Sequence, residues 1–409
     1  MLNKIWGGFF LAAFMVALGR WLVLGEAEVW AAMVGAIFEM AGTGFEIALG
    51  LTGVMCLWLG VMRLGEAGGA VDLLARAFAP LLRRLFRGVP EGHPAMGAMV
   101  MNMAANMLGL DNAATPLGLK AMRELQSLNP EPERATDEQV LFLVVNTSAV
   151  TLIPATIFVY RAQLGAADPT DVFIPLLLAT FCSTLVGLLA VAAVQRLRLW
   201  DPVVLAYLGG LTALVAGIVL YFTSLEQAVM EAQSSLVSNF LIFLVIIVFL
   251  TLALWRRVPV FETFVEGAKE GFGVAVQIIP YLVAMLVAIG VLRASGTLDL
   301  LLEPVRLAAG ALGLDTRWID GLPTALMRPL SGSGARGMLI ETMETHGADS
   351  FAGRLASVIQ GSTETTFYVL AVYFGAVGIK NTRQALPCGL AADAAGILAA
   401  ILVSYLFFG

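Results

Sequence analysis

Long apolar runs separated by short polar turns recur along nearly the whole chain. Runs with little or no charge occupy Ile5–Leu24, Ala41–Met62, Val140–Tyr160, Val172–Val194, Val203–Phe222, Val237–Trp255, Gly271–Leu292, Leu355–Ile379 and Ala385–Phe408. Each holds about 20 residues, the length a helix needs to cross a hydrocarbon core of roughly 30 Å. The pattern predicts an all-α polytopic membrane protein with about nine full spans. Two matched stretches depart from it: Met96–Lys120 (MGAMVMNMAANMLGLDNAATPLGLK) and Leu322–Glu341 (LPTALMRPLSGSGARGMLIE). Each has an apolar run too short to span, then a small polar tip, then a helix-start signal. The first signal is Thr115-Pro116, read as an N-cap followed by proline at the first helical position. The second tip is Ser331–Arg336. Irregular backbone at membrane depth survives only where protein or a water-filled cavity satisfies its polar groups. A matched pair of such breaks points to a carrier's binding site. Both stretches are therefore expected to be re-entrant hairpins.

Composition strengthens the membrane reading: the chain is 59% hydrophobic and only 13% charged. A soluble chain would carry roughly twice that charged fraction. The longest polar stretch, Gln126–Glu138, is too short for a soluble domain. At the N-terminus, Lys4 followed by an apolar run resembles a signal peptide, but no convincing small-x-small cleavage site follows. The segment is read as a retained span, with Arg20 reaching to the interface. Cys56, Cys182 and Cys388 sit singly in apolar surroundings and give no disulfide pattern.

Charge position supplies the topology. With Lys4 inside and both hairpins returning to their starting side, 16 Lys and Arg fall in the cytoplasmic segments and 6 outside, with Arg328 and Arg336 inside the second hairpin. That asymmetry satisfies the positive-inside rule. The N-terminus is then cytoplasmic and the C-terminus outside. A chain read in three parts results: 1–200 with the first hairpin at 96–120, a connecting pair of helices at 201–258, and 259–409 with the second hairpin at 322–341. The outer parts repeat weakly. Val61–Leu74 lies over Val291–Leu301, bringing Asp72 onto Asp299, and Val144–Ser148 lies over Val358–Ser362. An offset of five spans, being odd, inverts the second copy, the arrangement that supports alternating access.

The candidate ligands for a substrate or ion are Asp111, Asn112 and Thr115 at the first tip, with Asn146, Thr147 and Ser148 in the span after it. The second half offers Ser331, Ser333 and Arg336 at its tip, then Gln360, Ser362, Thr363, Glu364 and Thr365. Asn102, Asn106 and Arg328 accompany them. An acid at mid-span is costly in lipid, so Glu364 should face a partner or cavity, with Arg336 the expected partner. Asp393 is a second protonatable candidate. Helix N-termini at the tips suit an anionic or zwitterionic solute. Unwound carbonyls with Asn and Ser oxygens suit a small hard cation, and Asn112, Asn146 and Ser148 are the candidate sodium ligands. Sodium and protons both remain open as coupling ion, and no organic cofactor is expected.

Longer motifs carry a resemblance. WLGVM, HPAMGAMVMNMAANMLGLDNAATPLGLKAM, VVNTSAVTLIP and LGAADPTDV resemble spore maturation protein A. FVEGAKEGF, IIPYLVAMLVAIG, RASGTLDLL, RPLSGSGARG, QGSTETTFYVLAVYFG and GLAAD resemble spore maturation protein B. The chain looks like the two fused, within the nucleoside-recognition gate group, which is similar to concentrative nucleoside transporters and to the membrane domain of ferrous-iron transporter B. The resemblance implies two re-entrant hairpins, two unwound helices and inverted repeats. It also implies a site lined by Asn112–Thr115, Asn146–Ser148, Ser331–Arg336 and Gln360–Thr366. Asp111 stands where the family leads one to expect glycine, adding an acid beside the first tip.

The function expected is secondary active transport of a small polar metabolite in a bacterial cytoplasmic membrane. The alternative is a membrane scaffold, or an envelope- or lipid-handling partner, that has inherited a carrier fold. An enzyme is not expected, since HExxH, GxSxG and His-rich clusters are missing from the sequence. The partners expected are the solute and the bilayer, without nucleic acid; a homo-oligomer is left open.

Overall fold

The computed structural model describes residues 2–109, 111–148 and 151–409, and only the backbone of residues 2, 3 and 111–113. Among the described residues no strand occurs, and the chain is a succession of helices. These are α1 (Leu2–Gly19), extended by a π-helical turn at Arg20–Leu24, α2 (Glu28–Ala67), α3 (Ala70–Leu85), α4 (Pro94–Met107), α5 (Asp111–Gln126) and α6 (Asp137–Thr147). Next come α7 (Ala155–Gln163), α8 (Phe173–Gln195), α9 (Pro202–Thr223), α10 (Gln227–Trp255), α11 (Val260–Ala294) and α12 (Thr297–Ala311). After a 3₁₀ turn at Arg317–Gly321, the chain forms α13 (Leu322–Met327), α14 (Gly332–His346), α15 (Phe351–Ser362), α16 (Thr366–Ala376) and α17 (Ala385–Phe408).

Among the described residues, seven helical segments are long and apolar enough to cross a membrane: Lys4–Leu24, α2, α8, α9, α10, α11 and α17. The other two apolar runs, Val140–Tyr160 and Leu355–Ile379, are each split into a pair of shorter helices, α6 with α7 and α15 with α16. The protein is thus an all-α polytopic membrane protein. Two spans are longer than their apolar windows. α2 has 40 residues and α11 has 35, because backbone hydrogen bonding continues the helix through Glu28, Glu39 and Glu262 regardless of hydropathy. At 1.5 Å per residue α2 is about 60 Å long, roughly twice the hydrocarbon core.

The weak repeat has a local structural counterpart. α2 and α11 each end just before a left-handed glycine, Gly69 (φ 81°) and Gly296 (φ 79°), where a side chain would be strained. Asp72 and Asp299 then occupy the third position of α3 and α12, where a negative charge complements the helix dipole. A helical hairpin and a split helix follow in both copies.

The chain divides into two compact units that interleave rather than follow chain order. One comprises Met1–Trp58, Thr156–Pro169 and Ala268–Gln360; the other comprises Leu59–Ala155, Thr170–Gly267 and Gly361–Gly409. Two borders fall inside the continuous helices α2 and α11, and two fall at the interruptions of the split helices. In the first unit, Arg20 at the end of the first span pairs with Glu26 (2.6 Å) and donates to Ser295 O (3.0 Å). Its anchor is thus protein as well as interface. In the second unit α8 and α17 pack side by side, with Ser183 Oγ donating to Ala392 O at 2.9 Å.

Candidate functional site

In the second unit, α4 and α5 pack against each other as a hairpin, tied by Asn102 Nδ2 donating to Ala114 O at 2.7 Å. His93 caps α4, its Nδ1 accepting from Ala95 N. The Thr115-Pro116 signal predicts that the second arm starts at Pro116, with Thr115 as its N-cap. Instead α5 begins at Asp111, so Thr115 and Pro116 both lie inside the helix and Thr115 is no cap. The helix accommodates Pro116 in its second turn, forgoing the one bond that an N–H there would make to the carbonyl of residue 112. The side chains of Asp111 and Asn112 lie outside the described residues.

The turn after α4 rests on the interruption of the first split helix. Leu152 N donates to Met107 O at 2.7 Å, and a Cβ on Gly109 (φ 69°) would lie 2.6 Å from Ile153 O. Asn106 Nδ2 donates to Asn146 Oδ1 at 2.8 Å, and Asn146 Nδ2 donates in turn to Phe142 O at 2.8 Å. Thr147 Oγ1 and Ser148 Oγ both donate to Val144 O, at 2.9 and 2.8 Å. Hydroxyls whose protons are committed in this way present lone pairs as acceptors. The carbonyls that end α6 also find partners: Ser148 O accepts from Thr184 Oγ1, and Thr147 O accepts from Glu364 N at 2.8 Å. The last bond joins the carbonyl end of α6 to the amide end of α16, so the two interruptions meet within one unit. Thr363, Thr365 and Thr366 are buried beside it, and Glu364 is half-buried.

The first unit holds the second tip. Ser331 caps α14, its Oγ accepting from Gly334 N at 3.0 Å. Ser333 Oγ lies 3.2 Å from Ser331 Oγ, and Arg336 Nε donates to Gly332 O at 3.2 Å. Gln360 is buried in α15 with Oε1 lacking a hydrogen-bond partner among the described residues. Ser362, fully buried, belongs with the second unit.

Three features escape a reading of the sequence. Tyr373 is buried against the first hairpin, its ring stacked on Phe142 with centroids 6.1 Å apart. A hydroxyl-bearing aromatic in an apolar span is the available signal. Glu341 is buried and paired with Arg293 in the first unit. Arg161, counted with the outer loop charges, is fully buried. No group of three or more His, Cys, Asp or Glu that could hold a metal occurs among the described residues. A cavity of about 390 Å³ lies at the ends of α3, α6 and α8, lined by Arg84, Arg87, Arg196 and Arg198 among others, away from the interruptions.

Helical content and seven continuous spans define an all-α polytopic membrane protein. The chain belongs to the Gate family, described as nucleoside recognition, which matches residues 48–192 and 275–380. It is 53% identical to spore maturation protein B of Bacillus subtilis (strain 168) over 154 residues, 38% of this chain and 85% of that protein. It is 42% identical to spore maturation protein A of the same organism over 148 residues, 36% of this chain and 76% of that protein. The two matches are those of an A-like and a B-like part fused in one polypeptide. No solved structure matches the chain.

Proposed function

We propose that this protein is a secondary transporter of a small polar solute, working by alternating access in a bacterial cytoplasmic membrane and coupled to sodium or protons. The observation that carries the reading is the bond from Glu364 N to Thr147 O beside the turn of the first hairpin. Continuous spans would serve a scaffold equally well. Interrupted ones forgo helix hydrogen bonds at membrane depth, and here the two breaks are brought together, the arrangement around which carriers build solute and ion sites. The family description makes nucleosides the first solutes to try. Metabolite profiling of a deletion strain would choose the panel, and uptake into proteoliposomes under sodium and proton gradients would test it. Uptake above empty liposomes is expected. Absence of uptake across the panel, with full tolerance of substitutions at Asn146 and Glu364, would leave the scaffold reading in its place.

A further inference from the structure

Asp393 lies about a third of the way along α17, a 24-residue helix with no other charged residue, and is only 2% exposed. The helices packed on α17 are α6, α8, α10 and α16, with Phe222 of α9 against Phe407, and none of the six contains lysine, arginine or histidine. Asp393 shares a helix face with Gly389 and Gly396, four residues before it and three after. A Cβ on Gly389 would lie 3.4 Å from Thr366 Oγ1 and 3.5 Å from Thr147 Oγ1. One on Gly396 would lie 2.5 Å from Thr363 Cγ2 and 3.3 Å from Ser183 Oγ. Hydroxyl-bearing side chains therefore flank the carboxyl group on both sides along α17.

Thr147 Oγ1 and Ser183 Oγ donate to Val144 O and Ala392 O, but one of these hydroxyls is not used by the fold. Thr366 Oγ1 is fully buried without a hydrogen-bond partner among the described residues. So are Ser404 Oγ further along α17, and Ser234 and Ser238 Oγ on the buried stripe of α10. Gln227 Nε2 donates to Phe407 O at 2.9 Å, which sets the first turn of α10 against the last turn of α17. Ser234 and Ser238 thus lie on the element that accompanies α17 from its C-terminal end. Buried hydroxyls left without partners call for an occupant, and a carboxylate with hydroxyl oxygens is a hard donor set.

We propose that Asp393, with Thr147, Thr363, Thr366 and Ser183, forms an internal site for a small hard monovalent cation, sodium or its competitor the proton. The row of serines toward the end of α17 is its hydrated approach. The site deepens the transport reading, on which it rests, by supplying the coupling ion, and it is separate from the sodium ligands expected at Asn112, Asn146 and Ser148. Other ionisable groups on the packed elements are Glu364 and Tyr373 with α16, Tyr368 exposed on α16, Cys182 on α8, Tyr207 and Tyr221 on α9, and Cys388 and Tyr405 on α17 itself. On α6, Asp137 pairs with Arg383 and Glu138 lies in the first turn; on α10, Glu231 is exposed.

The test uses the purified full-length protein in detergent. Melting temperature is followed as sodium chloride replaces choline chloride at constant ionic strength, at alkaline and at acidic pH. Sodium should raise the melting temperature at alkaline pH and less at acidic pH. Asp393→Asn should abolish the rise, and Thr366→Val should weaken sodium binding several-fold. A response to pH alone that Asp393→Asn removes assigns the site to the proton. A wild-type response retained in Asp393→Asn, or no response of the wild type to either ion, overturns the proposal. Should Asp393→Asn fail to fold, unchanged sodium responses in both Thr366→Val and Ser183→Ala overturn it equally. Ion binding without solute uptake would leave this site standing and remove the transport reading; uptake indifferent to both ions would do the reverse.

Discussion

Arg161 offers a sharp test of how the first unit is held together. Its guanidinium is fully buried and donates to Ala348 O (2.7 Å), Pro169 O (3.2 Å) and Asp168 O (3.3 Å), as well as to Asp349 Oδ1 (3.2 Å). Asp349 Oδ2 also accepts from Ala167 N at 2.8 Å. The arginine is therefore solvated mainly by backbone carbonyls, and its acid partner is 36% exposed. Arg161→Met would strand the buried Ala348 O, at about 1–3 kcal/mol, and two half-buried carbonyls at less, so a loss of about 2–4 kcal/mol is expected. Asp349→Asn keeps an acceptor for Ala167 N and leaves the carbonyl cage in place. Breaking a buried pair costs about 3–5 kcal/mol, but water screens this acid, and about 1–2 kcal/mol is expected. The double variant should resemble Arg161→Met, because the exposed carboxylate is hydrated once the arginine is gone. Apparent melting temperatures of the purified variants in detergent would rank them. Asp349→Asn as damaging as Arg161→Met would show that the ion pair, not the cage, does the holding, and a silent Arg161→Met would refute the whole account.

Further outcomes are expected at the site, in packing and in topology. Glu364→Gln should stop uptake while the protein stays folded by size-exclusion chromatography, since the amide keeps shape and the backbone bond to Thr147 O is untouched; wild-type uptake would remove Glu364 from the mechanism. A methyl group on Gly118 would sit 2.2 Å from Tyr373 Oη, so Gly118→Ala should lower stability by about 1–3 kcal/mol, and Tyr373→Phe should restore part of it. Gly97→Ala, with nothing within 4 Å of the added methyl, should be neutral or mildly stabilising in the same melting assay. For topology, a single cysteine at Arg123 should label only from the cytoplasmic side and one at His346 only from outside; labelling of position 123 in intact cells would defeat the hairpin topology.

Much of the architecture is written locally in the chain. Apolar runs of span length foretell all seven continuous spans, because helix length and hydropathy are properties of neighbouring residues; the runs at Val140–Tyr160 and Leu355–Ile379 read as full spans by the same measure, and their division is what the family resemblance implies. The start of α5 departs from its local signal because a Thr-Pro pair reads the same inside the first two turns of a helix as it does at an N-cap. Other facts depend on residues far apart in sequence. Asn106 meets Asn146 across 40 positions, Arg161 meets Asp349 across 188, and Thr147 O meets an amide in the other half of the chain. Hydropathy does not encode such pairings. They are decided when helices pack, since packing determines which buried polar groups lie within hydrogen-bond reach and which are left for a ligand.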